Sequence, residues 1–151
     1  MTESLDPFGD QWEIRQVIER YASAVDRSDG EAAAALFAED GVFEIWLEPG
    51  ASAPTSTRQG PAEIATAING LRGNYLTQHV IANSVVDVSE ETAQGQTQCT
   101  AHHVKLGEAD PRDEVMHLAY DESLARIEGH WRFTRRVLRV RWTAVHQVEA
   151  L

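Results

Sequence analysis

A single cysteine, Cys99, in 151 residues leaves no partner for an intramolecular disulfide and excludes a multi-thiolate metal site. Basic residues are also scarce: 13 Lys and Arg stand against 24 Asp and Glu, for a net charge of −11. So acidic a chain lacks the basic face that phosphate neutralisation needs, which argues against nucleic acid or an anionic membrane surface as partner. No apolar run approaches the roughly 20 residues of a membrane-spanning helix. The opening MTESLDPFGD has neither a basic stretch nor an apolar one, so no secretory leader is visible and a cytoplasmic address is expected. G-x-S-x-G, Walker A and G-x-G-x-x-G are all missing, which removes support for a hydrolase elbow, a nucleotide loop and a dinucleotide fold. The six histidines fall in no H-x-H or H-E-x-x-H spacing, so neither a metal nor any other cofactor is expected.

What remains is an ordinary soluble composition, 42% hydrophobic and 25% charged, sized for one domain spanning residues 1–151. Asp10 with Glu13 three positions on resembles a capping box. Apolar residues then recur at Ile14, Val17, Ile18, Tyr21, Ala22 and Val25, the stripe of a buried helix face. Asp29-Gly30 ends that helix and caps a short second one through Ala33, Leu36 and Phe37. Gly60-Pro61 opens a third, with Ile64, Ala65, Ile68 and Leu71 facing inward. Between them, Gly41 to Leu47 reads as a strand and Glu48 to Gln59 as a long loop, a lid or a disordered segment. After Tyr75 the pattern is strands, the last two joined at Glu128-Gly129. Trp131 and Phe133 share one parity and Leu138, Val140 and Trp142 the other, which predicts a β-bulge near Thr134 to Val137. The expected fold is α+β: three N-terminal helices packed on a strongly curved, mostly antiparallel sheet, a cone with an internal pocket.

Asp26 is the most informative residue. It continues the buried stripe four residues after Ala22, yet sits in the last helical turn, where the dipole disfavours a carboxylate by about 0.3–1 kcal/mol. Such a residue is either a capping residue or one with a buried partner. His79 stands near the start of a strand, on the parity of Ile81, Asn83, Val85 and Asp87, so His79 and Asn83 read as a polar pocket wall; the alternative for His79 is a satisfied core histidine or a solvated one at a strand end. His102 and His103 point to opposite faces. His102 shares its face with Val104 and Leu106 and is the inward candidate, a choice that a one-residue register change would reverse. Five arginines crowd Arg132 to Arg141; most read as an outer sheet face, with Arg139 or Arg141 placed to reach the pocket and hold an anion.

The segments W-E-I-R-Q-V-I-E-R-Y-A-S-A-V-D-R-S-D-G, L-F-A-E-D-G-V-F, T-Q-H-V-I-A-N and G-H-W-R-F-T-R-R-V-L-R-V-R-W resemble the SnoaL-like branch of the nuclear-transport-factor-two-like, cystatin-like α+β cone superfamily. The resemblance runs from Trp12 to Trp142 and implies the cone fold. In relatives such as scytalone dehydratase, dehydrochlorinase and bile-acid dehydratase, an Asp–His pair is the acid/base dyad of an elimination. It falls here on Asp26 and His79, with Tyr21 at a pocket position and the second histidine at His102 or His103. The implied protein is a cofactor-free lyase or isomerase, dehydratase- or cyclase-like, acting on a small, mostly apolar, ring-containing substrate. Asp26, His79 and His102 would be catalytic, and Tyr21, Asn83 and Arg141 substrate-binding. The alternative is a non-catalytic ligand-binding or scaffold protein with the same pocket. A homodimer or homotrimer is expected, with Trp46 or Trp142 on the outer face.

Overall fold

The computed structural model describes residues 7–149; the first six residues read above for a leader lie outside that range. In chain order the elements are α1 (Pro7–Asp26), α2 (Gly30–Ala34), β1 (Phe37–Trp46), β2 (Ser56–Gln59), α3 (Gly60–Asn69), β3 (Tyr75–Ser89), β4 (Thr92–Lys105), β5 (Arg112–Ile127) and β6 (His130–Gln147). The strands form one six-stranded sheet, ordered β2-β1-β6-β5-β4-β3. Every neighbouring pair is antiparallel except β1 with β6.

The stripe of α1 is buried as its spacing demands, from Ile14 to Val25. Its start is not the capping box, however, because the helix already runs from Pro7. Asp10 instead lies inside α1, where its carboxylate accepts bonds from Arg126 and from the Trp131 indole, tying the helix to the β5–β6 hairpin. Asp29 caps α2 by accepting from the Ala32 N–H at 3.0 Å. Phe37 belongs to β1 rather than to the second helix. The segment expected to be a long loop is shorter, since its last four residues, Ser56 to Gln59, form β2 and pair with β1. Glu128 and Gly129, both at positive φ (52° and 80°), make the β5–β6 turn.

Register shifts decide which side chains face the helices. On β6 the pairing slips between Leu124↔Phe133 and Ser123↔Arg135, leaving Thr134 unmatched, where the parity conflict placed a bulge. A second slip, between Leu118↔Val140 and His117↔Trp142, leaves Arg141 unmatched. Trp142 is therefore turned off the face of Leu138 and Val140 and is exposed, stacked on His117 with ring centroids 4.7 Å apart. A third slip lies on β3 between Ile81 and Ser84.

A line of polar groups, half-buried at Ser84 and buried from Thr97 onward, crosses four adjacent strands. Ser84 Oγ meets Thr97 Oγ1 at 2.9 Å, Thr97 Oγ1 donates to Glu122 Oε2 at 2.9 Å, and Arg136 Nε donates to Glu122 Oε1 at 3.0 Å. Both ionic side chains are fully buried, at 0% exposure. The Arg136 guanidinium carbon lies 3.7 Å from the Tyr120 ring centroid and 4.2 Å from that of Tyr21, and it also contacts Phe133.

Candidate active site

Asp26 is the last residue of α1 and packs against the first half of β3. Its carboxylate accepts three bonds: the His79 backbone N–H at 2.9 Å, the Thr77 hydroxyl at 3.0 Å and His79 Nδ1 at 2.7 Å. Local sequence explains the arrangement. Alternation along β3 turns Thr77, His79 and Ile81 to the helix side, and the T-x-H spacing brings two side-chain donors and one backbone donor to the same acid.

Burial alone would raise the Asp26 pKa, but the bonds from His79 and Thr77 together outweigh it and hold the carboxyl below its ordinary value of 3.8. Asp26 is therefore ionised at neutral pH and can only accept. The proton between it and His79 thus sits on Nδ1, so in the singly protonated ring Nε2 is the nitrogen left to accept. The His79 side chain is only 6% exposed against 25% for Asp26. The pair spans a wall: both residues border an open groove beside Arg15 and Arg27, and His79 also borders a recessed cavity.

That cavity, of about 170 Å³, lies between α1, α3 and the sheet. Its surface is mainly apolar, with Val25, Phe43, Ile68, Met116, Leu118 and Leu138 among the walls. The hydrogen-bonding side chains on it are Tyr21, His79, His103 and Tyr120. Burial pushes the Tyr21 phenol up to about 12 and Tyr120 well above its ordinary 10.0, so both remain protonated donors.

Of the expected site residues, the structure brings together Asp26, His79 and Tyr21. His102 is not with them. The face of β4 turned to the helices carries Ala93, Thr97, Cys99 and Ala101, all buried, and the next residue of that parity is His103. His102 points to the other face and pairs with Asp113, Nδ1 to Oδ2 at 2.7 Å. His103 stands in the cavity wall with its ring 5.7 Å from that of His79. Its Nδ1 is buried without a protein hydrogen bond. Burial, reinforced by His79, lowers its pKa below 6.5, which keeps the ring neutral.

Asn83 is also misplaced by the expectation. It falls in the β3 bulge after Ile81 and is exposed; beyond the bulge Ser84, Val86 and Val88 turn inward instead, and Val85 and Asp87 point out. Arg141 sits in the second β6 bulge, exposed and bonded to Gln96. The buried arginine is Arg136, and Tyr120 is a further pocket residue that sequence reasoning missed. Among the described residues, no group of three or more His, Cys, Asp or Glu side chains is placed to hold a metal ion. No helix among them is long and apolar enough to cross a membrane.

No curated protein sequence matches the chain. Solved structures do. The "Putative Scytalone Dehydratase" of Novosphingobium aromaticivorans is 25% identical, with a TM-score of 0.80 over 95% of this chain and 92% of that one. A type 2 hexachlorocyclohexane dehydrochlorinase, LinA, gives a TM-score of 0.79 at 17% identity, over 99% and 95% of the two chains. A protein of unknown function with a cystatin-like fold from Nostoc punctiforme gives 0.65 at 17% identity, over 87% and 90%. The model of the SnoaL-like domain matches residues 8–137, nearly the whole cone, and on that match this chain belongs to the SnoaL-like domain family.

Proposed function

We propose that the protein is a cofactor-free lyase or isomerase, dehydratase-like in its chemistry, acting on a small, mostly apolar, ring-containing substrate. One observation carries the reading: Asp26, its carboxyl held low, binds His79 through Nδ1, and the His79 ring borders a mainly apolar cavity. This is the arrangement of a general base with an orienting carboxylate. The likeness to the "Putative Scytalone Dehydratase" at 25% identity supports the same class.

In an elimination, His79 Nε2 takes a proton from a substrate carbon. The C–H electron pair becomes the new double bond, and the C–O bond breaks toward the leaving oxygen. Neutral His103, in the role first expected of His102, donates the proton that oxygen needs. Transfer of a proton from His79 back to His103 then restores both rings. In an isomerisation the base returns its proton to another carbon of the same molecule. Acid/base assistance of this kind is worth about 10²–10⁴ in rate.

Turnover should be measured across neutral cyclic β-hydroxy ketones, followed by the absorbance of the conjugated product. His79→Gln and His103→Gln should each reduce kcat/KM by at least about 10² while the fold persists by circular dichroism. Parent-rate turnover by both variants would overturn the proposal.

A further inference from the structure

The cavity has a size and a charge balance that narrow its occupant. We propose that it selects an uncharged molecule of one six-membered ring and rejects both carboxylates and fused-ring systems. This rests on the lyase or isomerase reading for its catalytic meaning, but as a binding statement it stands on the cavity itself.

The first observation is size. An apolar cavity of about 150 Å³ accommodates benzene, and this one measures about 170 Å³. A second fused ring would either press on walls such as Met116, Leu118 and Leu138 or project from the mouth and lose its burial.

The second is charge. Neither Lys nor Arg lines the cavity among the described residues, and Leu47, Ala67 and Leu71 on its walls are also apolar. The buried guanidinium of Arg136 stacks on the Tyr21 and Tyr120 rings and is already paired with Glu122. A carboxylate drawn into this space would lose its water and gain no cation.

The third is the character of the polar groups that do face inward. Two phenols and two imidazoles offer hydrogen bonds to a neutral carbonyl or hydroxyl. A buried phenol held protonated is a donor to a ketone, not a counter-ion.

The test is a binding comparison on the intact protein at pH 7.5, read from the ring resonances of His79 and His103. Cyclohexanone should shift both signals saturably. Cyclohexanecarboxylate should bind at least about 100-fold more weakly. 1-Decalone should bind poorly to the parent and gain affinity in Leu138→Ala and in Met116→Ala, two independent enlargements. Equal binding of the carboxylate refutes the charge argument, parent binding of the decalone as tight as cyclohexanone refutes the size argument, and absence of cyclohexanone binding refutes both. Turnover separates this from the catalytic reading. If the ligand preferences hold while Asp26→Asn and His79→Gln convert substrate at the parent rate, the ring class stands and the lyase reading falls.

Discussion

Replacing Asp26 by Asn keeps the shape of the side chain and changes what its two outer atoms can do. The wild-type carboxylate only accepts, and all three of its neighbours donate to it. The His79 backbone N–H cannot change role, so the single carbonyl oxygen of Asn must turn toward it. The amide NH₂ then faces Thr77 Oγ1 and His79 Nδ1. Thr77 can rotate its hydroxyl to accept, but His79 can accept only by moving its proton from Nδ1 to Nε2. Nε2 becomes a donor and the base is lost. In serine proteases the same exchange behind the catalytic histidine costs about 10⁴ in kcat through the wrong tautomer. A loss of about 10³–10⁴ is expected here.

The stability cost is far smaller. Loss of charge-assisted bonds costs about 1.5–3 kcal/mol, reduced because Asp26 is a quarter exposed. Removing a negative charge from a helix C-terminus returns about 0.3–1 kcal/mol. The net is about 1–2 kcal/mol, or roughly 2–8 °C in Tm for a domain of this size. Nitrogen-15 spectra of His79 report the tautomer without any substrate. They should show neutral His79 protonated at Nδ1 in the parent and at Nε2 in the variant. An unchanged tautomer together with unchanged turnover would refute the reasoning.

Acid should expose the same carboxylate. Because the folded pKa of Asp26 lies below 3.8, its contribution is present above that value and disappears as pH falls through the lowered one, so the stability gap between parent and Asp26→Asn should close in urea titrations below about pH 4. Glu122→Leu should cost about 3–5 kcal/mol by leaving Arg136 buried and uncompensated, and Arg136→Met in the same chain should recover most of it in denaturant melts. Gly95→Ala should lower stability by about 1–3 kcal/mol in the same melts, because its Cβ would stand 2.4 Å from the Val85 carbonyl oxygen.

The parts of the site legible in the sequence were those where one pattern settled the direction of a side chain. The apolar stripe of α1 carried Asp26 inward without reference to anything else. The parity conflict on β6 predicted the Thr134 bulge because large apolar residues stood on both sides of it. The same argument would have found Arg136, which shares the parity of Leu138 and Val140; reading a run of arginines as solvated hid it. On β3 no bulky residue marks the slip, since Ala82 and Asn83 are small or polar, so Asn83 seemed to continue the face of His79. On β4 the helix side is built of Ala, Thr and Cys while Val104 is buried on the opposite face, so hydrophobicity pointed the wrong way and selected His102 over His103. Small residues line the side where helices press close and where a cavity needs room, which size-blind patterning cannot register.

The polar line from Ser84 to Arg136 has a mechanical consequence for the curled sheet. A bulge is in principle mobile: an extra residue can migrate along a strand by exchanging one set of ladder bonds for another. Two of the slips described above lie within two residues of this line, at Ala82-Asn83 before Ser84 and at Thr134 before Arg136. Apolar neighbours would tolerate a step of one residue with modest repacking. Hydrogen bonds joined end to end across four strands would not, since a step in any strand turns its member to the opposite face and strands the remaining ionic groups without water. The line therefore acts as a detent that stops both bulges from travelling, and with them the curl of the sheet over the cavity.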